Sequence, residues 1–241
     1  LSDDAVVLAD GCSSAPHTDI GARLNCRLVA QRDTLSAITI AQSLLHTLSL
    51  PTGCLDTTIL SARFDGTNVV TRIEGDGVIV GRRRQGGYTL ILSEYPSGAP
   101  RYPSYDLDPR RRTQYIRTFG ADAGYAHHVT VFDGRTLFEY SETPIVDDVS
   151  VPLVFGFSPV EYDLVLLMSD GVQSFTRPAG PLGRTEQVPI AEIVEAMLAV
   201  KGTAGSFIFR RARKFLKDVT AQGWSHADDF SVAAIYLGDA P

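Results

Sequence analysis

The chain contains only three cysteines, Cys12, Cys26 and Cys54, and they do not stand at metal-site spacing. So sparse and odd a set excludes a disulfide-stapled scaffold and fits a reduced, cytoplasmic setting. No apolar run approaches the ~18 residues of a transmembrane helix, and the opening LSDDAVVLADG lacks the basic start and long apolar stretch of a signal peptide. An excess of basic charge is also missing. The net charge of −6 excludes a general nucleic-acid binder, which needs a large positive surface. Internal repeats, low-complexity segments and compositional breaks are absent, so residues 1–241 read as one domain. Neither a Ser, Cys or His nucleophile motif nor a His/Cys cluster with zinc spacing stands out.

What is present is an ordinary globular composition, 44% apolar and 21% charged. Residues 5–9 (AVVLA) read as a short buried strand. Ile20, Leu24 and Leu28 then recur at helical spacing behind His17-Thr18-Asp19, which offers helix caps. A second helix follows Asp33-Thr34 and carries Leu35, Ile38, Leu44, Leu45 and Leu48. Segments 57–63, 68–74, 77–83 and 87–93 are rich in β-branched and aromatic residues. The turn signals Asp65-Gly66, Gly75-Asp76-Gly77 and Gly86-Gly87 separate them, as in an antiparallel meander.

Residues 95–112 (YPSGAPRYPSYDLDPRRR) show no period and read as an ordered excursion across the surface. Strands are expected at 127–132 and 135–140, joined at Asp133-Gly134, with another at 150–157. The apolar strand LVLLM precedes Ser169-Asp170-Gly171. Helices are predicted over 189–200 and 205–219, the second with a basic face, and DDFSVAAIYL supplies the last strand. Helix pairs segregated from many strands predict a layered α+β domain rather than a βαβ succession. The arginine clusters 82–84 and 110–112 read as solvated.

Three aspartates share one context. Asp10 ends VVLAD-G, Asp170 ends LVLLMSD-G, and Asp228 precedes FSVAAIYL. If these apolar strands are neighbours, their ends converge on one rim. Gathering carboxylates there is costly without a neutralising cation. An all-oxygen set of this type suits a hard divalent ion such as Mg²⁺ or Mn²⁺. A plain strand-to-turn reading holds for each Asp-Gly taken alone.

Four short stretches carry a family resemblance: LADG at 8–11, EGDG at 74–77, LLMSDG at 166–171 and DDFSV at 228–232. In order and spacing the chain resembles the PPM-type (type 2C) metal-dependent protein phosphatases, in their bacterial form. The resemblance implies an α-β-β-α sandwich, two antiparallel sheets flanked by helix pairs, and a binuclear Mg²⁺ or Mn²⁺ centre. It implies that Asp10 bridges both ions, that Gly11 offers its carbonyl, and that Asp170 and Asp228 complete the ligation of one ion. Asp76 would help hold a further, weaker metal. Hydrolysis of phosphoserine or phosphothreonine by a metal-bridging water would follow, with a phosphorylated protein as substrate and a cognate Ser/Thr kinase as partner. Neither nucleic acid nor membrane is implied. The alternatives are a pseudophosphatase that binds phosphoproteins and a phosphatase of small phosphoesters.

The match has departures. The family carries an acidic pair and a phosphate-binding arginine on a strand ahead of the first aspartate. Only nine residues precede Asp10 here, so that first strand is not among the residues read, and Asp3 and Asp4 read as turn residues. His17 suggests a general acid for the leaving group, but its offset from Asp10 departs from the family's, and a helix-capping surface role is the plainer reading. Cys12 reads as a passive small residue or a reactive thiol. Ser174 occupies a place where many members have an aspartate, and Asp229 stands where an asparagine is usual.

Overall fold

A computed structural model describes residues 5–95, 98–119, 127–132, 137–142, 152–180 and 183–238. Asp3, Asp4 and the Asp133-Gly134 turn lie outside the described residues. Strand β1 (Ala5–Gly11) pairs antiparallel with β2 (Thr57–Phe64), which pairs with β3 (Val69–Glu74), and β8 (Leu153–Phe157) closes this four-stranded sheet. The second sheet has six strands. They are β4 (Gly77–Arg83), β5 (Tyr88–Glu94), β6 (His127–Phe132), β7 (Leu137–Glu142), β9 (Tyr162–Met168) and β13 (Val232–Tyr236), in the spatial order β13-β9-β4-β5-β6-β7.

Strand β9 shows why the sheets stack. Its run of apolar residues is buried on both faces, as a central layer requires. Leu164, Leu166 and Met168 join the cluster that holds helices α4 (Ile190–Leu198) and α5 (Phe207–Ala221). Val165 and Leu167 join the inter-sheet cluster with Leu8, Leu60, Ile73 and Phe157. On the opposite outer face, α1 (Thr18–Val29) and α2 (Thr34–Thr47) pack on the four-stranded sheet through Val29, Ala37, Ile38 and Ile59. The result is the expected α-β-β-α layering.

Four local readings change. The predicted meander is two hairpins in different sheets. β2 and β3 belong to one sheet and β4 and β5 to the other, and the chain crosses between them at Gly75-Asp76-Gly77. Gly75 (φ 97°) and Gly77 (φ 137°) take backbone angles that L side chains rarely adopt. The excursion contains a 3₁₀ turn, Pro103–Leu107, and a full helix α3 (Pro109–Phe119). Its period was hidden because the inward face rests on aromatics within an arginine-rich stretch. Tyr115 is buried and its ring lies 5.3 Å from that of Phe119. The Asp108 carboxylate accepts the Arg110 N–H at 2.8 Å at the start of this helix.

Helix α1 is not side-chain capped, for His17 occupies the cap position at φ 58°, ψ 29° without a capping bond, whereas Asp33 accepts the Ser36 N–H at 2.9 Å ahead of α2. The arginines of the first cluster are structural rather than solvated. Arg82 forks onto Asp163 at 2.8 and 2.9 Å and donates to the Leu198 carbonyl at 2.9 Å. Arg84 donates to the Pro159 carbonyl at 2.7 Å. A small third sheet, β10 (Phe175–Pro178), β11 (Thr185–Gln187) and β12 (Ser225–His226), has no counterpart in the sequence reading.

The layered core makes a graded prediction. Leu167→Ala, at a fully buried inter-sheet position, is expected to cost about 2–5 kcal/mol in urea unfolding. Leu35→Ala, at a half-exposed helix position, should cost roughly 0.5 kcal/mol or less.

Candidate metal centre at the strand-end rim

The registers bring the strand ends together. Asp10 and Gly11, at the end of β1, face Thr58 and Thr57 of β2. Met168, at the end of β9, is flanked by Val232 of β13 on one side and Val78 of β4 on the other. Asp170 follows Met168 by two residues, Asp228 precedes Val232, and Asp76 precedes β4, so all three belong to one end of the six-stranded sheet. Strand β1 packs against β13 across the sandwich and brings Asp10 to the same rim.

Close backbone approaches hold this rim. A Cβ on Gly171 would lie 2.1 Å from the Asp229 carbonyl oxygen, so only glycine lets the Asp170 turn lie against the Asp228-Asp229 segment. Buried Ser169 ties the same pieces. Its hydroxyl donates to the Asp229 carbonyl at 2.9 Å and accepts the Ser231 N–H at 3.1 Å. Ser174 Oγ donates to the Gly171 carbonyl at 2.8 Å and accepts the Asp228 N–H at 3.3 Å. His226 Nδ1 lies 2.8 Å from the Asp228 carbonyl oxygen. On the other side, fully buried Ser93 donates to the Gly75 carbonyl at 2.8 Å and fixes the turn that carries Asp76.

The carboxylates feel one another. Burial, then the charges of Asp170 and Asp228, push the Asp10 carboxyl up to about 6. Burial, then Asp170, Asp10 and Asp228, push Asp76 up to about 7. Asp170 is raised by burial and by Asp228. Asp10 Oδ2 is buried and accepts no hydrogen bond among the described residues. Among those residues, no three His, Cys, Asp or Glu side chains form a ready cluster around one point. The two observations are compatible, because Coulomb coupling reaches farther than direct ligation. An orphaned buried carboxylate oxygen among acidic, all-oxygen neighbours fits a hard divalent cation.

Sequence reasoning therefore brought together Asp10, Gly11, Asp76, Asp170 and Asp228, and the structure sets all five at one rim. His17 does not join them. It is exposed at the start of α1, with no hydrogen bond or ion pair to a rim residue among the described residues. Cys12 is half-buried with its sulfur 2.9 Å from Ser14 Oγ. Missed were Ser169, Ser93 and His226, which hold the acidic segments in place. Ser169 lay in view within LLMSDG, but a lone serine carries no signal of what it bonds.

The fold is shared with solved phosphatases. A bacterial serine phosphatase matches with a TM-score of 0.53 and 15% identity, covering 97% of this chain and 86% of that one. The serine/threonine phosphatase Stp1 from Staphylococcus aureus matches with a TM-score of 0.52 and 14% identity, covering 98% and 84%. No family model and no curated protein sequence matches the chain. At this identity the likeness establishes the fold, the α+β sandwich that the motif resemblance implied.

Two outcomes are expected from the rim. Asp10 and Asp76 bind protons more tightly folded than unfolded, so the folded state holds more protons between about pH 4 and 7. Their contribution to stability is present below that window and is lost as pH rises through it. In EDTA the thermal midpoint should therefore be higher at pH 5 than at pH 7.5, and Asp76→Asn should flatten the difference. Added Mn²⁺ should raise the midpoint more at pH 7.5 than at pH 5. Separately, Gly171→Ala should destabilise the protein by about 1–3 kcal/mol in urea unfolding, because the new methyl collides with backbone.

Proposed function

We propose that the chain is a metal-dependent phosphatase that hydrolyses phosphomonoesters on serine or threonine side chains of proteins. The observation that carries this reading is the electrostatic coupling of Asp10, Asp76, Asp170 and Asp228 at one rim, on a sandwich of the kind found in solved serine/threonine phosphatases. Asp10, the Gly11 carbonyl, Asp170 and Asp228 would hold Mg²⁺ or Mn²⁺ ions, and Asp76 would help hold a weaker one. When bound, such ions neutralise phosphoryl oxygens and acidify water, so no protein nucleophile is required.

The chain's own residues do the holding. Ser169 clasps the Asp229–Ser231 segment behind Asp228, and Gly171 lets the Asp170 turn reach it. Ser93 fixes the Asp76 turn from the opposite side. Burial and mutual repulsion keep the proton affinity of Asp10 and Asp76 high, so loading with cations displaces protons and is favoured above about pH 7. A phosphorylated protein is the substrate on this reading, and a Ser/Thr kinase that writes the same mark is its counterpart in a bacterial-type, cytoplasmic signalling pair.

The test is turnover of a phosphothreonine peptide and of p-nitrophenyl phosphate with Mn²⁺, alongside calorimetric titration of the metal. Activity should vanish in EDTA, and Asp170→Asn should lower kcat by roughly a hundredfold or more with the far-UV circular dichroism unchanged. Activity that survives either treatment would overturn the reading. Metal uptake without turnover would instead leave a binding module for phosphoproteins.

A further inference from the structure

Helix α3 carries Arg110, Arg111, Arg112 and Arg117 and no acidic residue across Pro109–Phe119, in a chain whose net charge is −6. The fold divides these arginines. Arg111 turns inward, where its guanidinium donates to the Asp56 carboxylate at 2.5 Å and lies 4.8 Å from the centre of the Tyr105 ring. Tyr115, one turn on, is buried. Arg110 and Arg117 stay exposed on the other side with Thr113, Gln114 and Thr118, bordering an open depression of about 660 Å³. Neither takes part in an ion pair among the described residues.

This helix is fastened to the metal-centre loop. Asp56 is buried at the start of β2, and its carboxylate accepts from Ser104 Oγ at 2.7 Å as well as from Arg111. Its backbone carbonyl accepts the Cys12 N–H at 2.8 Å, one residue beyond Gly11. Helix α5 is also basic, but three of its cations are used within the fold. Arg210 donates to the Ala204 carbonyl at 2.7 Å, Arg211 to the Ala196 carbonyl, and Lys214 pairs with Asp218 at 2.7 Å.

Uncompensated positive charge beside a centre that handles phosphorylated protein favours partners of opposite sign. Resting on the phosphatase reading above, we infer that the outward face of α3 is a docking surface for acidic residues flanking the phosphorylated side chain, read by Arg110 and Arg117. Two helical turns separate these arginines, about 10 Å, a distance that an extended peptide covers in roughly three residues. The matching substrate therefore carries acidic residues spaced by three. A protein segment fits this face better than nucleic acid or a bilayer. The outward side chains include no aromatic ring to stack on a base and no large apolar group to enter a membrane.

The test measures fluorescence anisotropy of a labelled, unphosphorylated peptide with two glutamates three residues apart, using the full chain in EDTA. The Glu peptide should bind roughly tenfold more tightly than its Gln counterpart, and the preference should vanish in the R110E/R117E double variant, in R110Q/R117Q and in high salt. With the phosphothreonine version and Mn²⁺, the double variants should raise KM roughly tenfold and leave kcat and p-nitrophenyl phosphate turnover unchanged. Equal binding of the two peptides, unchanged binding by the variants, or tighter binding to phosphatidylserine vesicles or an RNA oligomer would overturn the inference. Charge-dependent peptide binding in a chain without any turnover would sustain the docking surface while the phosphatase reading fails. Normal turnover with charge-blind binding would do the reverse.

Discussion

Mutual repulsion among carboxylates at one rim is the constraint on which the rest of this structure depends. Asp10, Asp76 and Asp170 are all pushed toward their protonated forms by burial and by one another or by Asp228. Left to themselves, such groups would separate or swing into solvent. The fold prevents this by fixing the backbone that carries them. Two strands bring apolar residues into fully buried layers immediately before or after the acidic residue, so the side chain's position follows from the strand's register. Serines 93 and 169 and Gly171 then lock the turns.

The sandwich is what makes such locking affordable in free energy. Strand β9 is buried on both faces, against helices on one side and the four-stranded sheet on the other. Its end therefore has little freedom, and Asp170 inherits that rigidity two residues later. Strand β1 differs: it is the edge strand of its sheet with only Leu8 fully buried, and what holds it is its pairing with β2, which runs to Gly11 itself. Asp76 is different. It sits in a crossing turn between sheets, where Gly75 and Gly77 supply backbone conformations that other residues resist.

How much of this could be read from the sequence depends on where the information is stored. The apolar strand before Asp170 was legible because burial on both faces writes an unbroken hydrophobic run, whereas the equally apolar run before Asp10 forms a half-buried edge strand. The amphipathic pairs α1–α2 and α4–α5 were legible from their period. The crossing at Asp76 was not, because a turn between paired strands and a turn between sheets use the same Gly-Asp-Gly text. Helix α3 was hidden for a related reason. Its buried face rests on Tyr115 and Phe119, and one face of tyrosines among arginines does not produce an apolar stripe. Ionic ties were equally silent: nothing in Arg82 or Arg111 announces Asp163 or Asp56 as a partner some 80 or 55 residues away in the chain.

Ser174 shows how the turn after Asp170 is held without a further charge. An aspartate there would add another like charge beside Asp170 and Asp228, and its carboxylate could not donate to the Gly171 carbonyl. The serine hydroxyl both donates to that carbonyl and accepts the Asp228 N–H. It thus keeps the turn and the acidic segment clasped without adding charge to a rim already strained by repulsion. His226 acts alongside it, its ring tilted against Phe175 with centroids 5.0 Å apart while Nδ1 meets the Asp228 carbonyl. The small sheet β10-β12 joins these two supports, since Phe175 and His226 are paired across it. Asp228 is therefore held through its backbone N–H and carbonyl, whose bonds to Ser174 and His226 do not run through its carboxylate.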